Sequence, residues 1–338
     1  MKYGLLFRVA AVAAATTVIA GCGGADPEPE AGQPAAPVPK LAVVATTPEI
    51  ADFVRTIGGD AVSVTQIIKP NVDPHDYEPN PADMQAIATA KVLVKNGVGL
   101  EEWLDRTIES AGYTGPVVDS STGVTLREGG HHHEDEHGHE EDEHGHEEEE
   151  EKHAEGEEEH DPHIWHDPRN AKIMVENIQK GLAAADPAQA GVFSTNLTAY
   201  AAELDKLDSE NAAAWEKIAK ADRKLVTDHD ALGYYIQRYD LEFVGSVFST
   251  AGNNAELSAK QVTDLVAKIK ATGAKAVFAQ SSLPPETAEL IARQAGVKVV
   301  AGEDALYGDS LGGPGTPGET YLGAERHNTK TIVDALAG

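Results

Sequence analysis

The chain has little cysteine, little positive charge and no long apolar run beyond its first residues. Cys22 is the only cysteine in 338 residues, so no disulfide can form within the chain. Basic side chains are scarce: 27 Lys and Arg face 56 Asp and Glu, for a formal net charge of −29. That balance argues against nucleic acid, because neutralising phosphates takes Lys and Arg in excess. A cationic ligand suits it better. Much of the excess is local, since residues 131–161 hold seventeen acidic residues against the single Lys152. The one apolar run, Leu5–Ala20, is at roughly sixteen residues short for a membrane span. A transporter pore is therefore excluded.

That run carries Lys2 and Arg8 and ends in Ile19-Ala20-Gly21-Cys22, with small residues where a signal peptidase needs them. It resembles a bacterial lipoprotein signal over 1–21, which would make Cys22 the acylated first residue of the mature chain. Residues 22–39, rich in Pro, Gly, Ala and Glu, read as a flexible tether. The whole chain, at 338 residues and 41% hydrophobic, is long enough for two domains that each bury a core.

From Lys40 onward short β-branched runs alternate with helical patterns, which predicts α/β units around parallel sheets. Strands are expected at 41–45, 62–68, 91–95 and 116–118, with helices at 49–57, 81–89 and 101–111. A second series places strands at 224–227, 243–248, 275–278 and 297–300, and helices at 231–239, 258–271, 285–294 and 321–336. Between them 170–182 and 187–218 read as helical. The second would be about thirty residues and some 45 Å long, a rigid strut between lobes. The predicted division is an N-terminal lobe at 40–169, a helical segment at 170–221 and a C-terminal lobe at 222–338. Within the first lobe, 129–161 is low-complexity, dense in His and acid and nearly free of aliphatic side chains, so a disordered loop is expected there.

Four segments carry residues suited to chemistry. Asn71-Val72-Asp73-Pro74-His75-Asp76-Tyr77-Glu78-Pro79 follows a predicted strand, with two prolines fixing its backbone. Asp161-Pro162-His163-Ile164-Trp165-His166 precedes a helix, His229 ends a strand, and Asp309 follows the last strand. A lone loop histidine is ordinarily an exposed or hydrogen-bonded residue. In open α/β sheets, however, ligands bind beyond the carboxyl ends of the strands, where His75, His229 and Asp309 fall. A cleft between lobes would unite three imidazoles and a carboxylate, a set suited to zinc. Copper, nickel and iron also accept imidazole, whereas manganese usually recruits more oxygen.

From Leu41 to Leu336 the chain resembles the metal-binding proteins of ABC importers in the zinc- and manganese-uptake class, the ZnuA/TroA-like or cluster A-I family. The resemblance rests on NVDPHDYEPNPAD, DPHIWHDPRNA, VTDHDALGYYIQRYDL, NNAELSAKQVTDLVAKIKATGAKAVFAQ and LYGDSLGGPGTPGETYLGAERHN, in family order. It implies two α/β lobes bridged by a long helix and ligands at His75, His163, His229 and Asp309. It also implies a monomeric, extracytoplasmic, anchored protein that serves a permease and its ATPase subunit. His166 departs from the pattern, so spacing leaves open whether it replaces or assists His163. Manganese members commonly carry Glu at the third ligand position, so His229 points to zinc with manganese as the alternative. Asp309 does not discriminate between them. Some zinc members carry a disulfide in the second lobe, which this chain cannot form.

Two roles stay open for the His/acid-rich segment. His131, His132, His133, His137, His139, His144, His146, His153 and His160 would collect zinc weakly for the cleft, or the segment is a solvated insertion with no part in transport. Glu256 and Asp228 are candidates to orient the ligating imidazoles, and His327 reads as a structural residue of the last helix. A secreted zinc hydrolase is the rival from another class, but four protein ligands would leave no position for water. A metal-buffering adhesin is the other rival.

Overall fold

A computed structural model describes residues 39–129, 160–248 and 258–338. Apolar β-branched runs buried on both faces make parallel sheets, and the described residues form two of them. In the first, β1 (Leu41–Ala45) lies between β2 (Val62–Gln66) and β3 (Val92–Lys95), and β4 (Val117–Asp119) pairs with β3, all parallel. Three helices connect these strands. They are α1 (Pro48–Gly58), started by the Thr47 side chain and Pro48, α2 (Pro81–Thr89), closed by an Asn80–Asp83 capping box, and α3 (Leu104–Ala111).

Two helices follow without a strand. α4 (Pro168–Ala185) begins at the Asp167 cap, and α5 (Ala190–Trp215) has 26 residues, about 39 Å. The expected strut is therefore shorter than 187–218. Pro187–Gln189 forms a 3-10 turn because proline donates no N–H. The second sheet places β5 (Lys224–His229) between β6 (Glu242–Phe248) and β7 (Ala276–Phe278), with β8 (Lys298–Val300) beyond β7, again all parallel. Helices α6 (Gly233–Tyr239), α7 (Ala259–Thr272), α8 (Glu286–Ala295) and α9 (Tyr321–Ala337) complete this lobe.

Each sheet reverses its strand order beside its central strand, β1 or β5. Such switch points open a crevice at the carboxyl ends of the strands. The long helix joins the lobes: Phe193 near its start is buried in the first core, and Trp215 at its end is buried in the second. There the Trp215 indole donates to the Tyr235 hydroxyl (2.8 Å). The apolar core of the first lobe also crosses the cleft, taking in Tyr234, Tyr307, Leu311 and Tyr321. The Tyr321 ring packs edge-on against Phe53 with centroids 4.9 Å apart, and its hydroxyl donates to the Trp165 carbonyl (2.6 Å).

One polar knot steers the chain toward the crevice. The buried Glu101 carboxylate accepts from the Thr46 hydroxyl (2.6 Å) and from the N–H groups of Asn96 (2.7 Å) and Gly97 (3.1 Å). The Asn96 amide in turn donates to the Pro162 carbonyl (3.0 Å), one residue before His163. No helix among the described residues is long and apolar enough to cross a membrane.

Candidate metal centre

Asp-Pro-His occurs twice, and both copies fold alike. The His75 N–H donates to Asp73 Oδ1 (2.9 Å) and the His163 N–H donates to Asp161 Oδ1 (3.0 Å). These are turns in which aspartate bonds the backbone two residues on, and each aims its imidazole into the crevice. His75 comes from the loop after β2, His163 from the segment before α4, His229 from the end of β5 and Asp309 from the loop beyond β8. Among the described residues these four are the one group of histidine and carboxylate atoms placed to hold an ion, with ligand atoms all within 4.8 Å of one another.

His163 Nε2 sits at the centre, 3.1 Å from His75 Nε2, 3.4 Å from His229 Nε2 and 3.0 Å from Asp309 Oδ1. His229 Nε2 lies 3.5 Å from Asp309 Oδ2. A tetrahedral ion with arms of about 2.0–2.1 Å has donors about 3.3 Å apart, so these four separations lie near the edges of that figure. His163, His229 and Asp309 are buried and His75 is half-buried, forming the rim.

Electrostatics divide the imidazoles. Burial holds His75 down at about 3, although Asp309 opposes the shift. Burial works in the same direction on His163, but the flanking Asp161 and Asp309 carboxylates overcome it and push this imidazole up to about 10. Asp309 is held well below the usual carboxylate range, the charges of His229, His163 and His75 outweighing its burial. Without metal, a proton on His163 therefore occupies the ion's place.

This arrangement predicts a proton count. A metal must displace the His163 proton, whereas His75 has none to lose above about pH 5. Calorimetry in buffers of different ionisation enthalpy is expected to show at least one proton released per metal, and affinity rising at least about tenfold per pH unit between about pH 5 and 9. In the metal-free protein, the raised value contributes stability fully below the ordinary 6.5 and loses it as pH rises through about 10.

His166 is not part of the cluster. Its Nδ1 lies 2.7 Å from Glu325 Oε1 and its Nε2 donates to the Gly308 carbonyl (3.1 Å), so both ring nitrogens are engaged. It supports the turn that presents Asp309. Gln280 supports the same turn, its Oε1 accepting from the Asp309 N–H (3.0 Å). Gly308 is required there, because a Cβ would lie 1.5 Å from that oxygen. Across the crevice the Asn71 N–H donates to Ser310 Oγ (2.7 Å), tying the His75 loop to the Asp309 loop.

Asp161, grouped by composition with the low-complexity stretch 129–161, is fully buried. Its Oδ1 accepts from His163 Nδ1 (2.7 Å) and its Oδ2 from the Arg127 guanidinium (2.6 Å). It fixes the His163 tautomer and leaves Nε2 to face the cluster. Sequence reading missed it, although the repeated Asp-Pro-His turn was its visible signal. Asp228 accepts from the Gln280 N–H (2.7 Å), and burial pushes its carboxyl up to about 7. His327 lies in α9, its Nε2 donating to the Ala305 carbonyl (3.1 Å). His160 is exposed and pairs with Glu128. Cys22, Glu256 and the histidines at 131–153 lie outside the described residues.

The sequence profile of the ZnuA family, described as zinc-uptake complex component A, periplasmic, matches residues 43–335. The chain belongs to the ZnuA family. Membership makes it a substrate-binding component of a metal-uptake complex and not an enzyme. Among ZnuA-family relatives, the iron ABC transporter substrate-binding lipoprotein MtsA of Streptococcus pyogenes serotype M1 is 28% identical over 306 residues, spanning 88% of this chain and 89% of its own length. The manganese-binding lipoprotein MntA of Halalkalibacterium halodurans is 29% identical over 321 residues, 95% of each chain. The periplasmic zinc-binding protein TroA of Treponema pallidum superposes with a TM-score of 0.75 at 28% identity, over 89% of this ZnuA-family chain and 100% of that one.

Proposed function

We propose that this protein captures zinc outside the cytoplasm and delivers it to the permease of an ABC importer, with His75, His163, His229 and Asp309 as its ligands. The observation that carries this reading is the donor set: three imidazole nitrogens and one carboxylate oxygen, all within 4.8 Å of one another in a buried crevice. Imidazole-rich tetrahedral sites suit zinc, while manganese favours oxygen and higher coordination. The relatives named for iron, manganese and zinc support a transition-metal cargo and leave the choice among them to the donors.

In this reading acylated Cys22 holds the protein at the outer face of the membrane as a monomer, and the His/acid-rich segment gathers cations ahead of the crevice. The ion enters past His75, the half-buried member. It displaces the His163 proton and is closed in by four protein ligands, which leaves no position for a reactive water. The loaded protein docks on the permease, whose ATPase subunit drives import.

The test is a zinc titration against a competing chelator with manganese run in parallel, before and after removal of residues 130–159. One tight site that prefers zinc and survives the deletion is expected. Tight binding that vanishes with the segment, or a site that prefers manganese, would falsify the ligand or metal assignment.

A further inference from the structure

Arg127 and Asp161 flank the undescribed stretch 130–159, and the fold pins them together at one point. Beside them Glu128 and His160 form an isolated antiparallel bridge. The pin comes from the other lobe. The Tyr234 hydroxyl, carried by α6, accepts from the Arg127 N–H (3.1 Å) and donates to the Asp161 carbonyl (2.9 Å). The Arg127 guanidinium then reaches Asp161 Oδ2 at 2.6 Å, with its carbon 5.8 Å from the centre of the Tyr234 ring. Gly233 makes room for this pair: a Cβ there would lie 1.3 Å from the Arg127 Nη1 and 2.5 Å from Asp161 Oδ2. The other oxygen of Asp161 holds His163.

We propose that Arg127 and Tyr234 form a latch between the lobes, and that this latch sets how slowly a bound transition-metal cation leaves the centre. The inference rests on the metal-centre reading above. Asp161 is inaccessible and one carboxylate oxygen is committed to His163, so the aim of that imidazole depends on what holds the other oxygen. Arg127 holds it through one charged hydrogen bond, which a neutral side chain cannot match. Release requires His163 or Asp309 to let go of the ion, and the latch resists by keeping Asp161 and the α6 lobe in one position. The Arg127 side chain is 32% exposed, so the latch can be opened from outside without unfolding the core. Arg127, Tyr234 and Gly233 touch no ion and act by positioning.

The test uses the whole chain with cobalt(II) as probe, loaded at less than one equivalent and chased with excess chelator. The visible spectrum reports the ligand set and its decay reports release. Arg127→Gln and Tyr234→Phe are expected to keep the wild-type tetrahedral spectrum and association rate while releasing cobalt about tenfold faster, the lower end for partners that orient a ligand. Gly233→Ala is expected to do the same, Arg127→Lys to stay within about threefold of wild type, and the Arg127→Gln, Tyr234→Phe double variant to release no faster than either single one. Wild-type release rates in both single variants overturn the latch. Where Arg127→Gln fails to fold, Tyr234→Phe, which keeps its ring in the core, decides by the same criterion. A wild-type chain without the tetrahedral spectrum, or a His163→Ala chain that keeps it, overturns the metal-centre reading and the latch with it.

Discussion

His163→Ala is expected to cost more zinc affinity than any other single change at the centre, roughly a thousandfold or more. Zinc binding by a four-ligand protein site amounts to roughly 10–16 kcal/mol, or about 3 kcal/mol and a hundredfold for an average ligand. His163 exceeds the average because its Nε2 is the atom within 3.4 Å of a donor from each of the other three ligands. It also stands between two buried carboxylates, Asp161 and Asp309, and removing it strips Asp161 of its imidazole and leaves Asp309 with that of His229 alone. His75→Ala is the informative contrast. That side chain is half-buried at the rim, where water can replace a lost nitrogen, so a smaller loss is expected. Both are read by titration against a chelator of known affinity. A His163→Ala protein within tenfold of wild type, or a His166→Ala protein that loses all tight binding, would assign the site to the wrong imidazole.

His229→Glu is expected to change the metal rather than abolish binding. Exchanging a nitrogen for a carboxylate gives the centre two acidic ligands and two imidazoles, which suits an ion that takes more oxygens. Zinc affinity should fall and manganese affinity rise, moving their ratio by about a hundredfold, the equivalent of about 2.7 kcal/mol. The cost falls on the metal-free protein. His229 Nε2 lies 3.5 Å from Asp309 Oδ2, so the new carboxylate would face an existing one, and like charges at that distance raise the affinity of the pair for a proton. The metal-free variant should therefore melt earlier at neutral pH than at pH 5. Parallel zinc and manganese titrations decide the matter, and an unchanged ratio would mean that the third ligand does not select the metal.

The periodicity of the chain revealed most of the fold because strands such as Leu41–Ala45 and Val92–Lys95 are near-continuous apolar runs. Leu41–Ala45 and Pro81–Thr89 have the observed limits, and strand boundaries elsewhere moved by a residue or two. The linking helix was harder, since Ala-rich sequence looks helical through a 3-10 turn and past Trp215. At the centre, residues beyond strand ends, or just after turn-forming prolines, stood out, because the connectivity of a parallel sheet dictates where such ends point. Their supports did not. Arg127, Gln280 and Glu325 act across 34, 29 and 159 positions of sequence, distances over which local pattern says nothing about contact. His166 resembles a ligand in sequence and becomes a brace only because Glu325 and Gly308 meet it in space.

The core that runs through both lobes also bears on what form of metal the protein can accept. Phe53, Tyr234, Leu311 and Tyr321 belong to one apolar cluster, and widening the crevice enough for an ion still wrapped in an organic chelator would split that cluster and expose it to water at about 25 cal/mol per Å². Size exclusion is thus built into the architecture. Such a crevice suits a bare ion, and an intact metal–chelator complex is expected to be turned away.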